Sequence, residues 1–305
     1  MASKRRWAQA LAAGAALAAG TALAATPAVA APALDLFYQR ALMVAAGGAC
    51  RLFSADVTQA LTASESQARS AALRSGAAPA ELAELAARAD AAGQSLDCRS
   101  PAVAGAAQQV RRAFDGYARL PKMDFPGEFA AWSAERAPQS AALAWRVYQR
   151  DRFGWDVMLF GEAAKGADRP LMAVASFADG AKPYGARLVM RDPSAAAQPF
   201  LDWRQADIAG RLPIDARLAP RAQARVFSAE AMSPAGDDLA PREMAGAWAF
   251  RFPAAAETAL ASLDPRESVA VEFLFPGEGG ESVRTAYVEV GDFAAAHAFQ
   301  ALPQR

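Results

Sequence analysis

Apolar residues recur every three or four positions over residues 34–120 and every second position from residue 144 onward. The first spacing puts apolar side chains on one stripe of a helix, the second on one face of a strand. Four helices are predicted in the first stretch. One covers 34–47, with Leu34, Phe37, Leu42 and Ala45 inward and Gly47-Gly48 as its stop. A second covers 55–75, with Ser54 as N-cap, Val57 and Leu61 one turn apart, and Gly76 past its end. A third runs over 79–93 with Leu82, Leu85, Ala86 and Ala89 inward and ends at Gly93. The fourth opens with Ser100 as cap and Pro101 in its first turn, and carries Val103, Ala107, Val110, Phe114 and Tyr117 on one stripe.

Period-two segments follow at Trp145–Tyr148, Trp155–Phe160, Ala186–Arg191, Arg225–Phe227, Trp248–Phe252, Val269–Phe275 and Arg284–Val290, with a short apolar run at Leu171–Phe177. Gly154, Lys182-Pro183, Asp192-Pro193 and Pro276–Gly280 separate them as turns, the pattern of a mainly antiparallel β region. Ala254–Leu263 and Phe293–Leu302 read as two short helices. Residues 194–222 show no firm period and are expected to be irregular. Residues 121–143, with Pro121, Pro126, Gly127 and Pro138 among Phe125, Phe129 and Trp132, are expected to connect the two regions and to pack, with a short helix near 128–136.

The N-terminus changes the compartment. Lys4, Arg5 and Arg6 precede an uncharged alanine-rich stretch, Trp7–Ala25, and two A-x-A sites, Ala22-Leu23-Ala24 and Ala28-Val29-Ala30. That is the layout of an export signal, 1–30, with cleavage expected after Ala30 because Pro27 ends the preceding helix. The Arg5-Arg6 pair also raises a twin-arginine route, though the residues after it fit poorly. The alternative is an uncleaved membrane anchor, since the stretch is long enough to span, but alanine gives little drive into lipid; cleavage is expected, and no integral membrane span after it.

The whole chain has 305 residues with 32 basic and 32 acidic side chains. Losing Lys4, Arg5 and Arg6 turns that balance slightly acidic, which argues against nucleic acid or anionic lipid as a bulk partner. Roughly half of the 53% hydrophobic fraction is alanine, and lysine is scarce beside arginine. That composition points to a GC-rich bacterial genome, and hence to the periplasm or cell exterior.

An even number of cysteines in an exported chain favours a disulfide, here Cys50–Cys98. Closing that loop is worth about 4 kcal/mol in the loop-entropy model. Cys50 lies where the first helix meets the second, and Cys98 where the third meets the fourth. In an up-down-up-down bundle those two corners share one end. No C-x-x-C spacing occurs, and one histidine cannot complete a zinc site with two cysteines without a carboxylate.

The remaining chemistry reads as structural. His297 is the lone histidine, on the last helix one turn after Phe293, and is expected to be packed or at the surface rather than catalytic. No G-x-S-x-G elbow, phosphate loop or calcium loop is present. The acid pairs Asp237-Asp238, Asp264 with Glu267, and Glu278 with Glu281 fall in turns, where backbone preference or solvation explains them. Arg111, Arg112 and Arg119 read as a solvated helix face. Trp145, Trp155, Trp203 and Trp248 could line a groove for sugar or peptide, but their alternation with polar residues favours core packing. No catalytic, cofactor or metal residue is assigned, and no cofactor is expected.

The ending Tyr287-Val288-Glu289-Val290-Gly291-Asp292-Phe293, running into an alanine-rich helix, resembles the strand-Gly-Phe-helix ending of the invasion-associated locus B family of bacterial envelope proteins. The resemblance is confined to the C-terminal end, gives the cysteines no counterpart and implies no activity. The expected architecture is α+β: signal peptide 1–30, a disulfide-tied four-helix bundle over 31–120, a connecting segment 121–143 and a mainly antiparallel β domain over 144–305. The expected role is non-enzymatic binding of an unknown envelope protein or polymer. The alternatives are a carboxylate-dependent hydrolase of an envelope polymer and a carrier of a small apolar ligand.

Overall fold

The computed structural model describes residues 30–136, 143–164, 168–208, 210–277 and 279–302. The expected export signal up to residue 29, Pro138, Lys165 and Glu278 lie outside the described residues. The chain divides between Arg119 and Leu120 into two compact units.

The first unit is the expected helical bundle: α1 (Ala30–Cys50), α2 (Ala55–Arg74), α3 (Pro79–Gln94) and α4 (Pro101–Arg119). α1 lies along both α2 and α3, and α4 touches α2 more sparingly. The core is small-residue packing, with Phe37, Leu73 and Leu82 set among Ala41, Ala68, Ala72, Ala77 and Ala89. Gly93 is buried because α3 crosses α1 there; a Cβ on it would lie 2.5 Å from the Ala45 Cβ. The disulfide joins Cys50 to Cys98 with their Cα atoms 5.4 Å apart. The two helix corners therefore share one end, as an up-and-down bundle requires.

The ends of these helices fall mostly at the expected residues, with one departure. The Val103 N–H donates to the Ser100 hydroxyl at 3.3 Å, and Gly76 takes a left-handed φ of 93° just past α2. Ser54 caps α2 by position only, without a side-chain bond. The departure is at Gly47-Gly48, which do not stop α1; the helix continues to Cys50. Gly47 is needed for packing, since a Cβ there would meet the Phe53 ring at 2.7 Å. The left-handed residue that ends α1 is Arg51, φ 52°, and the Leu52 N–H closes the turn on the Gly47 carbonyl at 3.1 Å.

The second unit holds two antiparallel sheets. The larger runs β1 (Lys122–Phe125), β2 (Trp132–Glu135), β3 (Trp145–Phe153), β4 (Asp156–Ala163), β5 (Leu171–Ser176), β9 (Trp248–Arg251) and β8 (Ala231–Pro234), in that order. The smaller runs β11 (Gly280–Glu289), β10 (Ser268–Gly277), β6 (Gly185–Arg191) and β7 (Ala224–Ser228). Helices α5 (Ala254–Ala261) and α6 (Phe293–Ala301) complete the unit. The expected short helix near 128–136 is instead strand β2, because Trp132 and Ala134 alternate inward and pair with β1 and β3. β8 was also unforeseen: its four residues are all exposed, so no burial pattern marks it. Among the described residues, the stretch 194–223 has 3₁₀ turns at Trp203–Gln205, Asp215–Arg217 and Arg221–Gln223 and no helix or strand longer than these.

Rings fill the space between the sheets. Phe273 on β10 has its centroid 5.6 Å from Phe153 on β3, 5.2 Å from Phe250 on β9 and 5.3 Å from Phe177. Trp132 packs at a tilt against Phe293, the first residue of α6, with ring centroids 4.8 Å apart, and its indole N–H donates to the Val290 carbonyl at 2.9 Å. α6 is thereby laid across β1, β2 and β3. Among the described residues no helix is long and apolar enough to cross a membrane.

Candidate functional site

Three of the acids singled out in the sequence, Glu267, Asp264 and Glu281, are tied into the fold by arginines. Glu267 is buried and takes two bonds from the Arg191 guanidinium, at 2.7 and 2.8 Å, together with the Asp264 N–H at 3.0 Å. Asp264 is held in turn by Arg266 through both carboxylate oxygens at 3.0 Å. Glu281 accepts from Arg187 at 2.7 Å and from the Tyr184 hydroxyl. Asp237 and Asp238 are exposed on the loop before β9. A further buried acid, Glu289, accepts the backbone N–H groups of Glu128, Phe129 and Ala130 at 2.7, 2.8 and 3.1 Å, pinning the β1–β2 loop.

The other named residues divide between core and surface. Trp145 is core, its indole N–H on the Leu239 carbonyl at 2.8 Å, and Trp248 is half-buried. Trp155 at the β3–β4 turn and Trp203 depart from the expected packing, being 91% and 58% exposed. Hairpin geometry explains Trp155, because the residue after Gly154 (φ 63°) stands at the tip with no facing layer. Arg111 caps the Leu52 carbonyl at 3.1 Å, while Arg112 and Arg119 are solvated.

One cluster was not foreseen, and it contains the lone histidine. Glu162, Glu257 and His297 each bring a ligand-capable atom to within 4.8 Å of the others. Three elements converge to do this. Glu162 lies near the end of β4, on the strand face it shares with Met158 and Phe160, while Leu159 and Ala163 turn the other way toward Trp145. Its position is set by an irregularity in the β3–β4 ladder between Trp145 and Val147. Gly161 sits opposite, with φ 149°, and any Cβ on it would lie 2.0 Å from the Val147 carbonyl oxygen. Glu257 comes from α5, which packs on α6, and His297 lies one turn into α6, its ring 6.2 Å from Phe293.

Glu162 is 1% exposed, so its carboxylate must find a partner. It finds His297, whose Nδ1 is 2.6 Å from Oε1. The Glu257 Oε1 lies 3.7 Å from the same nitrogen. The hydrogen bond to Glu162 raises the His297 pKa above its ordinary value; burial opposes this, and the charges of Glu162 and Glu257 reinforce it. Burial, then the charge of Glu162, raises the Glu257 carboxyl. Arg169 is the cation facing the cluster, and it donates to the Gln300 side chain one turn beyond His297. The histidine side chain remains 40% exposed and that of Glu257 25%. The cluster thus has a buried acidic floor and a solvent-facing side.

Chemically this is one imidazole nitrogen and two carboxylates, a donor set for a proton or a cation. Its sequence signal is faint. Glu162 is a charge inside the apolar run Met158–Ala163, and its histidine partner lies 135 positions away. No protein-family model, curated protein or solved structure matches the chain.

Proposed function

We propose that this chain is an exported protein of a bacterial envelope that acts by binding, with the Glu162–Glu257–His297 cluster as its ligand site. The observation that carries the reading is the convergence of a buried carboxylate, a half-buried carboxylate and the lone histidine. The acids Asp264, Glu267 and Glu281 are by contrast occupied by arginines. The Cys50–Cys98 disulfide supports maturation where thiols oxidise, and with it the periplasmic or secreted location.

The test is native recovery of the mature chain from the envelope fraction, with native mass spectrometry of everything that stays bound. The reading predicts a mature mass without the first 30 residues and a bound species missing from Glu257→Gln. An intact chain in the cytosol with free thiols, or identical bound species in wild type and variant, overturns it.

A second reading has one observation in its favour. Two carboxylates lie side by side and one has a raised pKa, as in enzymes that cleave glycosidic bonds with an acid pair. Against it, each carboxyl group must reach the substrate or its attacking water in that chemistry, and Glu162 is buried under His297. Cleavage of an envelope polysaccharide by wild type and its loss in Glu257→Gln would favour this reading over simple binding.

A further inference from the structure

We infer that Glu162, Glu257 and His297 form a binding site for a divalent transition-metal ion of the zinc class. The inference rests on the binding reading above and names the ligand. The geometry is the first argument. Ligands about 2.0–2.1 Å from a tetrahedral ion stand about 3.3 Å apart. The His297 nitrogen is 2.6 Å from one carboxylate oxygen and 3.7 Å from the other, so the two gaps bracket that spacing. Small side-chain movements satisfy the ion, and the buried floor at Glu162 does not have to move.

The donor set is the second argument. One imidazole with two carboxylates suits zinc, cobalt or nickel, whereas calcium and magnesium take oxygen-only shells of six or more ligands. Three protein ligands leave a fourth position open, and the exposed side of His297 turns it toward solvent. In the metal-free cluster a hydrogen bond joins Glu162 to His297, so the ion takes the place of that shared proton and releases it to solvent.

The surroundings give the site its limits. Phe293 packs beside the imidazole and fixes its ring, and Gln300 stands one turn further along α6. Arg169, exposed and bonded to Gln300, offsets one of the two carboxylate charges, so the site is no deep anionic cage. That predicts binding specific for borderline ions such as zinc and reversible with chelator.

The experiment is calorimetric titration of the purified mature protein with ZnCl₂, with MgCl₂ and CaCl₂ as controls. Visible absorption of the Co²⁺-loaded protein reports the coordination number. One zinc per chain is expected, with no response to magnesium or calcium. Glu257→Gln and His297→Ala should each weaken zinc by about tenfold or more. Glu257→Gln is the decisive variant because its side chain is partly exposed, so the fold is expected to survive its change, and circular dichroism checks that. Equal zinc affinity in wild type and Glu257→Gln, or no zinc binding at all, overturns the inference. If zinc fails while the natively recovered protein still carries a species that Glu257→Gln lacks, the ion class is wrong and the binding site stands. If both fail, both claims fall.

Discussion

The two units solve the same problem with different side chains. In the helical unit the core is mostly alanine, so helices approach closely, as α3 does where Gly93 meets Ala45, but each residue hides little apolar surface. A covalent link between two helix corners adds stability that packing does not supply. In the β unit, phenylalanine rings meet one another at centroid distances of 4.9 to 6.3 Å and no cross-link is present. The difference teaches where chemistry can be housed. The ring-filled unit tolerates the buried carboxylates Glu162, Glu267, Glu272 and Glu289, each with a cation or backbone partner. None of the buried charged residues of the described chain lies in the alanine bundle.

The contrast can be broken at its strongest point first. Phe273→Ala removes the ring at the centre of the β unit and should cost about 3–5 kcal/mol in chemical denaturation, with loss of near-ultraviolet aromatic signal. Replacing Cys50 and Cys98 together by serine should cost up to about 4 kcal/mol in the helical unit, read from the far-ultraviolet melt. A melt unchanged by that double substitution would show that alanine packing suffices. Two glycines then sharpen the argument about close packing. Gly93→Ala gains helix propensity worth at most about 1 kcal/mol. Its new Cβ would sit 2.5 Å from Ala45 Cβ and 2.9 Å from the Ala46 nitrogen, so overpacking of about 1–3 kcal/mol wins and the protein is destabilised. Gly105→Ala meets nothing within 4 Å and should stabilise by up to about 1 kcal/mol.

Much of this was readable in the sequence, and the reasons are physical. Helices announce themselves locally: Ser100-Pro101 opens α4 and Gly76 closes α2, because capping is settled within a few residues. The long central strands were equally plain. Gly47 misled because a glycine that stops a helix and one that admits a ring look alike until Phe53 is placed against it. The edge strand β8 was invisible because none of its residues is buried, so no alternation remains to be seen. The sequence offers His297 only as a packed or surface residue because its partners come from β4 and α5, and only the folded β unit brings them together.

The smallest expected effect is one of pH. His297 has a raised pKa in the folded state, so its contribution to stability is full below the unfolded histidine value of about 6.5. It is lost as pH rises through the raised folded value. The denaturation midpoint of wild type should therefore exceed that of His297→Gln at pH 6, and the gap should narrow on the alkaline side. Partial exposure of the ring keeps the gap small.

The single histidine also makes the most direct measurement simple, since its imidazole gives the only ¹⁵N histidine signals in the chain. Long-range ¹H–¹⁵N spectra should show Nδ1 hydrogen-bonded in the apo protein. One equivalent of zinc should shift the Nδ1 resonance into the metal-bound range and leave Nε2 little changed, and Glu257→Gln should need about tenfold more zinc, or more still, for the same shift. An imidazole whose two nitrogens ignore saturating zinc, or a zinc titration curve identical in wild type and Glu257→Gln, would contradict the account.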